Sequence, residues 1–131
     1  MLDIFTEYAT NEALENEGTW MEVGAAKFLV ARSGNKNYAR KLSKAVERHR
    51  KQLDRKDDAA DKLSEQIMVD VMAETILLGW EGVAFKGEAL PYSVENAKQL
   101  LRIKDFRTTI AELADDFDAF KAEQEREQGE G

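Results

Sequence analysis

The sequence predicts a mainly α fold, with about four helices in a compact, bundle-like domain and a small N-terminal β-hairpin. Two observations lead to this prediction. Apolar residues recur every three or four positions through most of residues 36–122, which is the period of amphipathic helices. Residues 19–32 are instead rich in β-forming residues on both sides of a glycine, which is typical of a hairpin. At 131 residues, the chain is expected to fold as a single domain, 1–131.

The N-terminal region divides into an arm and the hairpin. Residues 1–18 show no clear period and end in Gly18, so an arm is expected there. The hairpin strands are predicted at 19–23 and 27–32, and a Ser-Gly-Asn turn at 33–35 closes the element. Because an isolated two-stranded hairpin is only marginally stable in water, it is expected to pack on helices or to pair with another chain.

Helices are predicted over the rest of the chain. The first has one apolar face within a basic surface, formed by Tyr38, Leu42, Ala45, His49 and Leu53. The second spans about 59–78, begins after Asp57 or Asp58 as N-cap, and is expected to end at Gly79. It is apolar on most sides, which is typical of the central helix of a domain.

Two further helices are predicted towards the C-terminus. Ser93 is expected to cap a short third helix. The last helix carries an apolar stripe at steps of four and three, formed by Phe106, Ile110, Leu113, Phe117 and Phe120. The helical body is therefore predicted to span 36–122, and the acidic tail 123–131 is expected to fray.

Charge is distributed unevenly along the chain. The net charge is −7, which argues against nucleic-acid binding because contact with phosphates needs a positive surface. Residues 36–56 nevertheless carry nine Lys and Arg against two acidic residues, a local charge of +7. Residues 115–131 carry seven acidic residues against two basic ones, a local charge of −5. These blocks can pair within one molecule or between copies, and we expect a homo-oligomer. A further alternative for the function of the chain is a regulator that binds nucleic acid through the basic helix.

The residue pattern predicts neither an enzyme nor a cofactor. The chain has no cysteine, which excludes disulfides and cysteine-based zinc sites. The single histidine, His49, lies on an apolar face and is interpreted as a packing residue. Asp70 and Glu74 lie one helical turn apart and could share a metal or divide acid and base roles, but no histidine can complete a helical metal centre. We predict that they form ion pairs with the basic helix, through Arg40, Lys44 or Arg48.

The best candidate for partner binding is the glycine-containing connection at residues 80–92. Apolar residues in such a segment either fold back over the core as a lid or form a docking patch. The predicted partner-binding residues are Trp80, Val83, Phe85, Leu90 and Tyr92.

The sequence predicts no membrane contact. The first residues do not form a signal peptide, because they lack a basic stretch followed by an apolar run. The longest apolar region, 67–80, is interrupted by Asp70 and Glu74 and is too short to span a bilayer. A cytoplasmic protein is expected.

Four stretches, in this order, resemble the tail assembly chaperones of long-tailed, siphovirus-type bacteriophages. They are residues 18–20 leading into 28–35 and Tyr38; residues 73–83; residues 90–97 with Leu100 and Leu101; and the final helix at 106–120. The resemblance covers about residues 10–122, and it rests on the ordered set because no single stretch is a catalytic signature.

The resemblance implies binding to the tape measure protein, a very long helical polypeptide. The chaperone keeps this partner soluble while tail tube subunits assemble around it. Such chaperones are small, largely helical, often self-associating and absent from the finished virion, so the host cytoplasm is the expected location. Many exist in a short form and a longer frameshifted form, and an ending at 129–131 is compatible with the short one. The alternative is a small structural tail or connector protein that is retained in the virion and adds strands between copies.

Overall fold

The chain forms a mixed α/β fold in a computed structural model, whose described residues are 1–8, 12–116, 118, 120 and 121. The prediction of a mainly α bundle with only an N-terminal hairpin is therefore wrong. Within the described residues there are seven helices, a three-stranded antiparallel sheet and a separate two-stranded sheet.

The elements follow one another in a fixed order along the chain. The N-terminal part contains α1 (Ile4–Tyr8), α2 (Glu12–Glu17), β1 (Thr19–Val23) and β2 (Ala26–Val30). The middle contains α3 (Lys36–Arg48), α4 (Arg50–Leu53), α5 (Asp58–Thr75) and β3 (Leu77–Glu81). The C-terminal part contains β4 (Ala84–Phe85), β5 (Glu88–Ala89), α6 (Val94–Leu101) and α7 (Lys104–Ala114).

The strand β3 is the main departure from the predicted bundle. The second helix was expected to run to Leu78 and to end at Gly79, but α5 ends at Thr75 and Gly79 lies within β3. A continuous apolar run is compatible with either a buried helix or a buried strand. Here its last residues form the strand β3. The physical reason is the hairpin itself, because β1 and β2 alone would be marginally stable and β3 completes a three-stranded sheet in the order β1-β2-β3.

The register gives the sheet a buried face and an outer face. Met21, Phe28 and Trp80 are cross-strand neighbours whose side chains lie in the core. Trp20, Leu29 and Gly79 form the next row on the outer face, where Trp20 remains 49% exposed. A Cβ atom at Gly79 would lie 3.7 Å from the Cη2 atom of Trp20, so the indole ring covers the glycine across the sheet.

The helix starts are set by local capping residues. Asp57 accepts a hydrogen bond from the Ala60 N–H at 2.8 Å and begins α5, and Ser93 accepts one from the Asn96 N–H at 3.0 Å and begins α6. Asn35 begins α3 in the same way and is buried. Its amide also donates to the Thr75 carbonyl at 3.3 Å, which fixes the start of α3 against the end of α5.

The structure differs from the prediction in two other parts, the N-terminal arm and the first helix. The arm is not irregular throughout, because α1 and α2 form within it. The predicted first helix divides at His49, which leaves the helical conformation at φ −111° and ψ 18° and separates α3 from α4.

The core lies between the sheet and the helices α5, α6 and α7. It contains Met21, Phe28, Val30, Val69, Met72, Ala73, Ile76, Leu77, Trp80, Ala97, Leu100, Leu101, Ile110, Ala114 and Phe120. Phe120 is fully buried, with the Arg32 guanidinium 5.4 Å from its ring centroid. Phe117 and the tail 123–131 lie outside the described residues.

Candidate functional site

The predicted docking patch at residues 80–92 is folded against the core. Trp80 is only 6% exposed, and its Nε1–H donates to the Leu90 carbonyl at 2.8 Å. The Tyr92 ring meets the Trp80 ring edge to face, with centroids 5.0 Å apart. Val83, Phe85 and Leu90 are half-buried and pack on the same core. The contacts of these five residues are those of a lid, which was one of the two interpretations left open by the sequence.

This lid also covers the outer edge of β3. The Tyr92 hydroxyl donates to the Leu77 carbonyl at 2.9 Å, so a backbone acceptor of the strand is satisfied by a side chain. Burial raises the pKa of Tyr92, because the phenolate loses solvation there. The lid therefore contacts β3 through a hydrogen bond that depends on the protonated hydroxyl of Tyr92.

An open apolar groove lies elsewhere, between α3, α5 and α7. We call it the apolar groove; its volume is about 310 Å³. Its lining residues are Ser33, Tyr38, Met68, Met72, Ile76, Arg107, Thr108, Ala111 and Ala114.

The helical period explains how the apolar groove forms. Met68 and Met72 on α5 and its C-cap residue Ile76 follow one another at steps of four, so they lie on one side of that helix. Ala111 and Ala114 face them from α7, and their small side chains leave the space between the two helices open. Methionine side chains are flexible and polarizable, and they suit surfaces that accommodate varied apolar partners.

Two of the polar side chains at the apolar groove, Arg107 and Tyr38, contact other residues of the protein. Arg107 is the one charged residue of the lining; its guanidinium donates to Glu65 at 3.0 Å and to the Leu101 carbonyl at 2.9 Å. The Tyr38 hydroxyl lies 3.7 Å from the Met68 sulfur. The arrangement offers apolar contact area rather than reactive groups, so it suits the apolar face of a polypeptide.

A second groove lies on the other flank of α3, between α3, α5 and α6. We call it the charged groove; its volume is about 320 Å³. Its lining residues are Lys41, Lys44, Ala45, Arg48, His49, Ile67, Asp70, Val71, Glu74 and Lys98.

The charged groove contains the two acidic residues singled out from the sequence. Glu74 pairs with Lys41 at 3.0 Å, and Asp70 lies 3.7 Å from Lys98 and accepts a hydrogen bond from Gln66. The sequence instead suggested Arg40, Lys44 or Arg48 as partners. The contribution of α6, through Lys98, could not be seen from the sequence because the two helices are separated along the chain.

The side chain of His49 is half-buried beside these residues, at the junction of α3 and α4. In the described part of the chain, no cluster of three or more His, Cys, Asp or Glu residues could hold a metal ion. Among the same residues, no helix has the length and apolar character needed to cross a membrane.

The sequence did not identify the apolar groove. Its signal is present in hindsight as the spacing of Met68 and Met72 and the pair Ala111 and Ala114, but each pattern alone is also typical of core packing. Only the packing of three helices leaves Met68 and Ala111 partly exposed above the buried Met72 and Ala114.

Comparison with known proteins adds one result. The family model described as YdaY prophage protein matches residues 33–131, about three quarters of the chain. The match contains α3 to α7 and most of the residues that line both grooves. No curated protein and no solved structure matches the chain.

Proposed function

The chain belongs to the YdaY prophage protein family and is phage-related, and we propose that it is a tail assembly chaperone. It binds the tape measure protein and keeps that long helical polypeptide soluble during tail assembly. The observation that supports this proposal is the apolar groove, in which the half-buried Met68 and Ala111 lie beside the buried Met72.

The apolar groove fits one face of an amphipathic helix. Partner side chains at steps of three and four would lie over Met68 and Ala111, with the buried Met72 below them. Each apolar side chain buried there contributes about 1.5–3 kcal/mol, and association itself costs several kcal/mol, so a single contact is weak.

Weak contacts suit a protein that coats a long chain. Many copies along one tape measure protein bind with an avidity that no single copy has. In this proposal the protein self-associates, works in the host cytoplasm, contacts tail tube subunits only as they arrive, and is absent from the finished virion. It requires neither a cofactor nor catalysis.

The experiment is co-expression with the tape measure protein of the same phage, followed by size-exclusion chromatography. The wild-type chain is expected to keep the partner soluble and to co-elute with it. The double substitution Met68→Glu with Ala111→Glu puts two charges in the apolar groove and should abolish both effects. Val94→Glu is the matched control, because Val94 is an apolar residue, 39% exposed, outside both grooves.

Equal solubilisation by the wild-type and groove variants would contradict the apolar groove as the binding site. A partner that stays insoluble with all of them, beside a well-behaved monomer, would contradict the chaperone function itself.

The second candidate is a small structural tail or connector protein. It is favoured by β1, which is an edge strand of the described sheet and carries the half-exposed Trp20 on its outer face. Such an edge could add a strand from a neighbouring copy. The presence of the protein in purified virions, at a fixed ratio to the tail subunits, would favour this candidate over the chaperone.

A further inference from the structure

The charged groove has more positive charge than its own carboxylates neutralise. Lys41 pairs with Glu74, and Lys98 lies within 3.7 Å of both Asp70 and Glu95. Among the described residues, no ion pair joins Lys44 or Arg48 to a carboxylate. These two cations lie one helical turn apart, beside an apolar floor of Ile67 and Val71.

The spacing of the two cations fits an extended acidic peptide. Residues four apart on a helix are separated by about 6 Å along its axis. Alternate residues of an extended chain point to the same side and are about 6.6 Å apart. The C-terminal tail carries acidic residues at alternate positions, namely Glu123, Glu125 and Glu127, followed by Glu130. An extended segment with this pattern can place one carboxylate on Lys44 and the next on Arg48.

We propose that the acidic tail 123–130 docks in the charged groove of its own molecule, where Lys44 and Arg48 bind its carboxylates. The inference goes beyond the chaperone function and does not depend on it.

The described structure brings the start of the tail close to α3. The Ser33 N–H donates to the Ala114 carbonyl at 2.9 Å, so α7 ends beside the segment that leads into α3. Phe120 lies under Arg32, which keeps the last described residues at the same end of the helix.

From there, both cations are within reach. Lys44 and Arg48 lie about 14 and about 20 Å along α3 from the N-cap Asn35. Ten residues beyond Lys121 extend to at most about 33 Å. The tail therefore has enough length to follow α3 to the charged groove.

The tether favours the same molecule over a second copy. A segment that belongs to the same chain has an effective concentration of the order of mM, far above that of a protein at about 10 μM. If the groove binds the free peptide with an affinity of the order of mM, about half of the molecules hold their own tail. The docked tail then competes with any acidic segment of another protein.

The test is nuclear magnetic resonance of the full chain. His49 is the single histidine and lines the charged groove, so its ring protons report the state of the groove together with the amides of Lys44 and Arg48. The variant neutralises the tail by E123Q, E125Q, E127Q and E130Q. The matched control makes the same charge change at four exposed positions outside the groove, by E22Q, E81Q, E88Q and E112Q.

The neutral tail should shift the signals of the charged groove, and the control should leave them unchanged. High salt, about 0.5 M, should move the wild-type signals towards those of the neutral tail, because screening weakens these ion pairs. In a chain with K44Q and R48Q, neutralising the tail should have no effect on the His49 signal.

Two results would overturn the proposal. Identical groove signals in the wild-type and neutral-tail chains would show that the tail does not dock there. Shifts that grow with protein concentration over a range from about 20 μM to 1 mM would show that the occupant is the tail of a second copy.

Discussion

The two grooves beside α3 have almost the same volume but opposite linings. The apolar groove measures about 310 Å³ and the charged groove about 320 Å³. Both are built on α5, which gives Met68 and Met72 to the first and Asp70 and Glu74 to the second. One helix, with its residues alternating between two flanks at the helical period, thus forms two surfaces with different chemistry.

The comparison shows that groove volume alone does not indicate a ligand. A partner in the apolar groove would gain free energy from apolar area removed from water, which ionic screening does not weaken. A partner in the charged groove would gain it from exposed cations, whose effect is screened by salt and is small for each pair. Substitutions on the two flanks of α5 should therefore have different consequences.

The largest expected effect is on folding. Met72→Ala removes a side chain that is 4% exposed and forms part of the core, and it should lower the free energy of unfolding by about 2–5 kcal/mol. Glu74→Ala, two residues away, removes one exposed ion pair and should cost about 0–1 kcal/mol. Urea unfolding followed by circular dichroism measures both values. Equal costs would mean that the two flanks of α5 do not differ in burial.

The next effect is on partner binding. Met68→Glu should weaken the affinity for an amphipathic helix of the tape measure protein at least tenfold, because it places a charge against the apolar face of the partner. The double substitution K44Q and R48Q should change that affinity less than about twofold if the helix occupies only the apolar groove. Titration calorimetry at two salt concentrations measures both, and a steep salt dependence of the wild type would assign the partner to the charged groove instead.

A smaller effect separates the lid from both grooves. Tyr92→Phe removes the hydrogen bond to the Leu77 carbonyl and should lower the free energy of unfolding by about 0.5–1.5 kcal/mol. Because Tyr92 lines neither groove, the affinity for the partner should stay at the wild-type value. If a folded Tyr92→Phe chain lost its affinity for the partner, the lid rather than the apolar groove would be the docking surface.

The smallest effect is on pH dependence. The pKa of Tyr92 is raised by burial in the folded state, so folding favours the protonated phenol. The contribution of the Tyr92 phenol to stability is fully present at pH values below its pKa in the unfolded chain, about 10. This contribution is lost as the pH rises through its pKa in the folded state. Unfolding measured between about pH 9 and 11.5 should therefore show a steeper loss of stability in the wild type than in Tyr92→Phe. The other tyrosines, Tyr8 and Tyr38, are common to both chains, and parallel curves would contradict the assignment.

Features that depend on neighbouring residues were predictable from the sequence. Ser93 and either Asp57 or Asp58 were expected as helix caps, and the side chains of Ser93 and Asp57 accept the backbone hydrogen bonds. The strands β1 and β2 were recognised as a hairpin because their β-forming residues flank a tight turn.

Features that depend on distant parts of the chain were not predictable in the same way. Residues 77–81 form a strand only because the edge of β2 is available, whereas their apolar run equally suits a helix. The partners of Asp70 and Glu74 were chosen from the nearest basic helix, but Lys98 comes from α6. The apolar groove needs α3, α5 and α7 together, and no local pattern predicts which face of each remains uncovered.

Methionine methyl signals test the central claim, that the apolar groove receives the partner helix, most directly. The chain has four methionines; Met68 and Met72 line the groove, Met21 is buried under the sheet, and Met1 is exposed. With ¹³C-methyl-labelled methionine, addition of a soluble helical fragment of the tape measure protein should shift the Met68 and Met72 signals. The Met21 signal should stay in place. Unchanged Met68 and Met72 signals under conditions where the fragment binds would contradict the account.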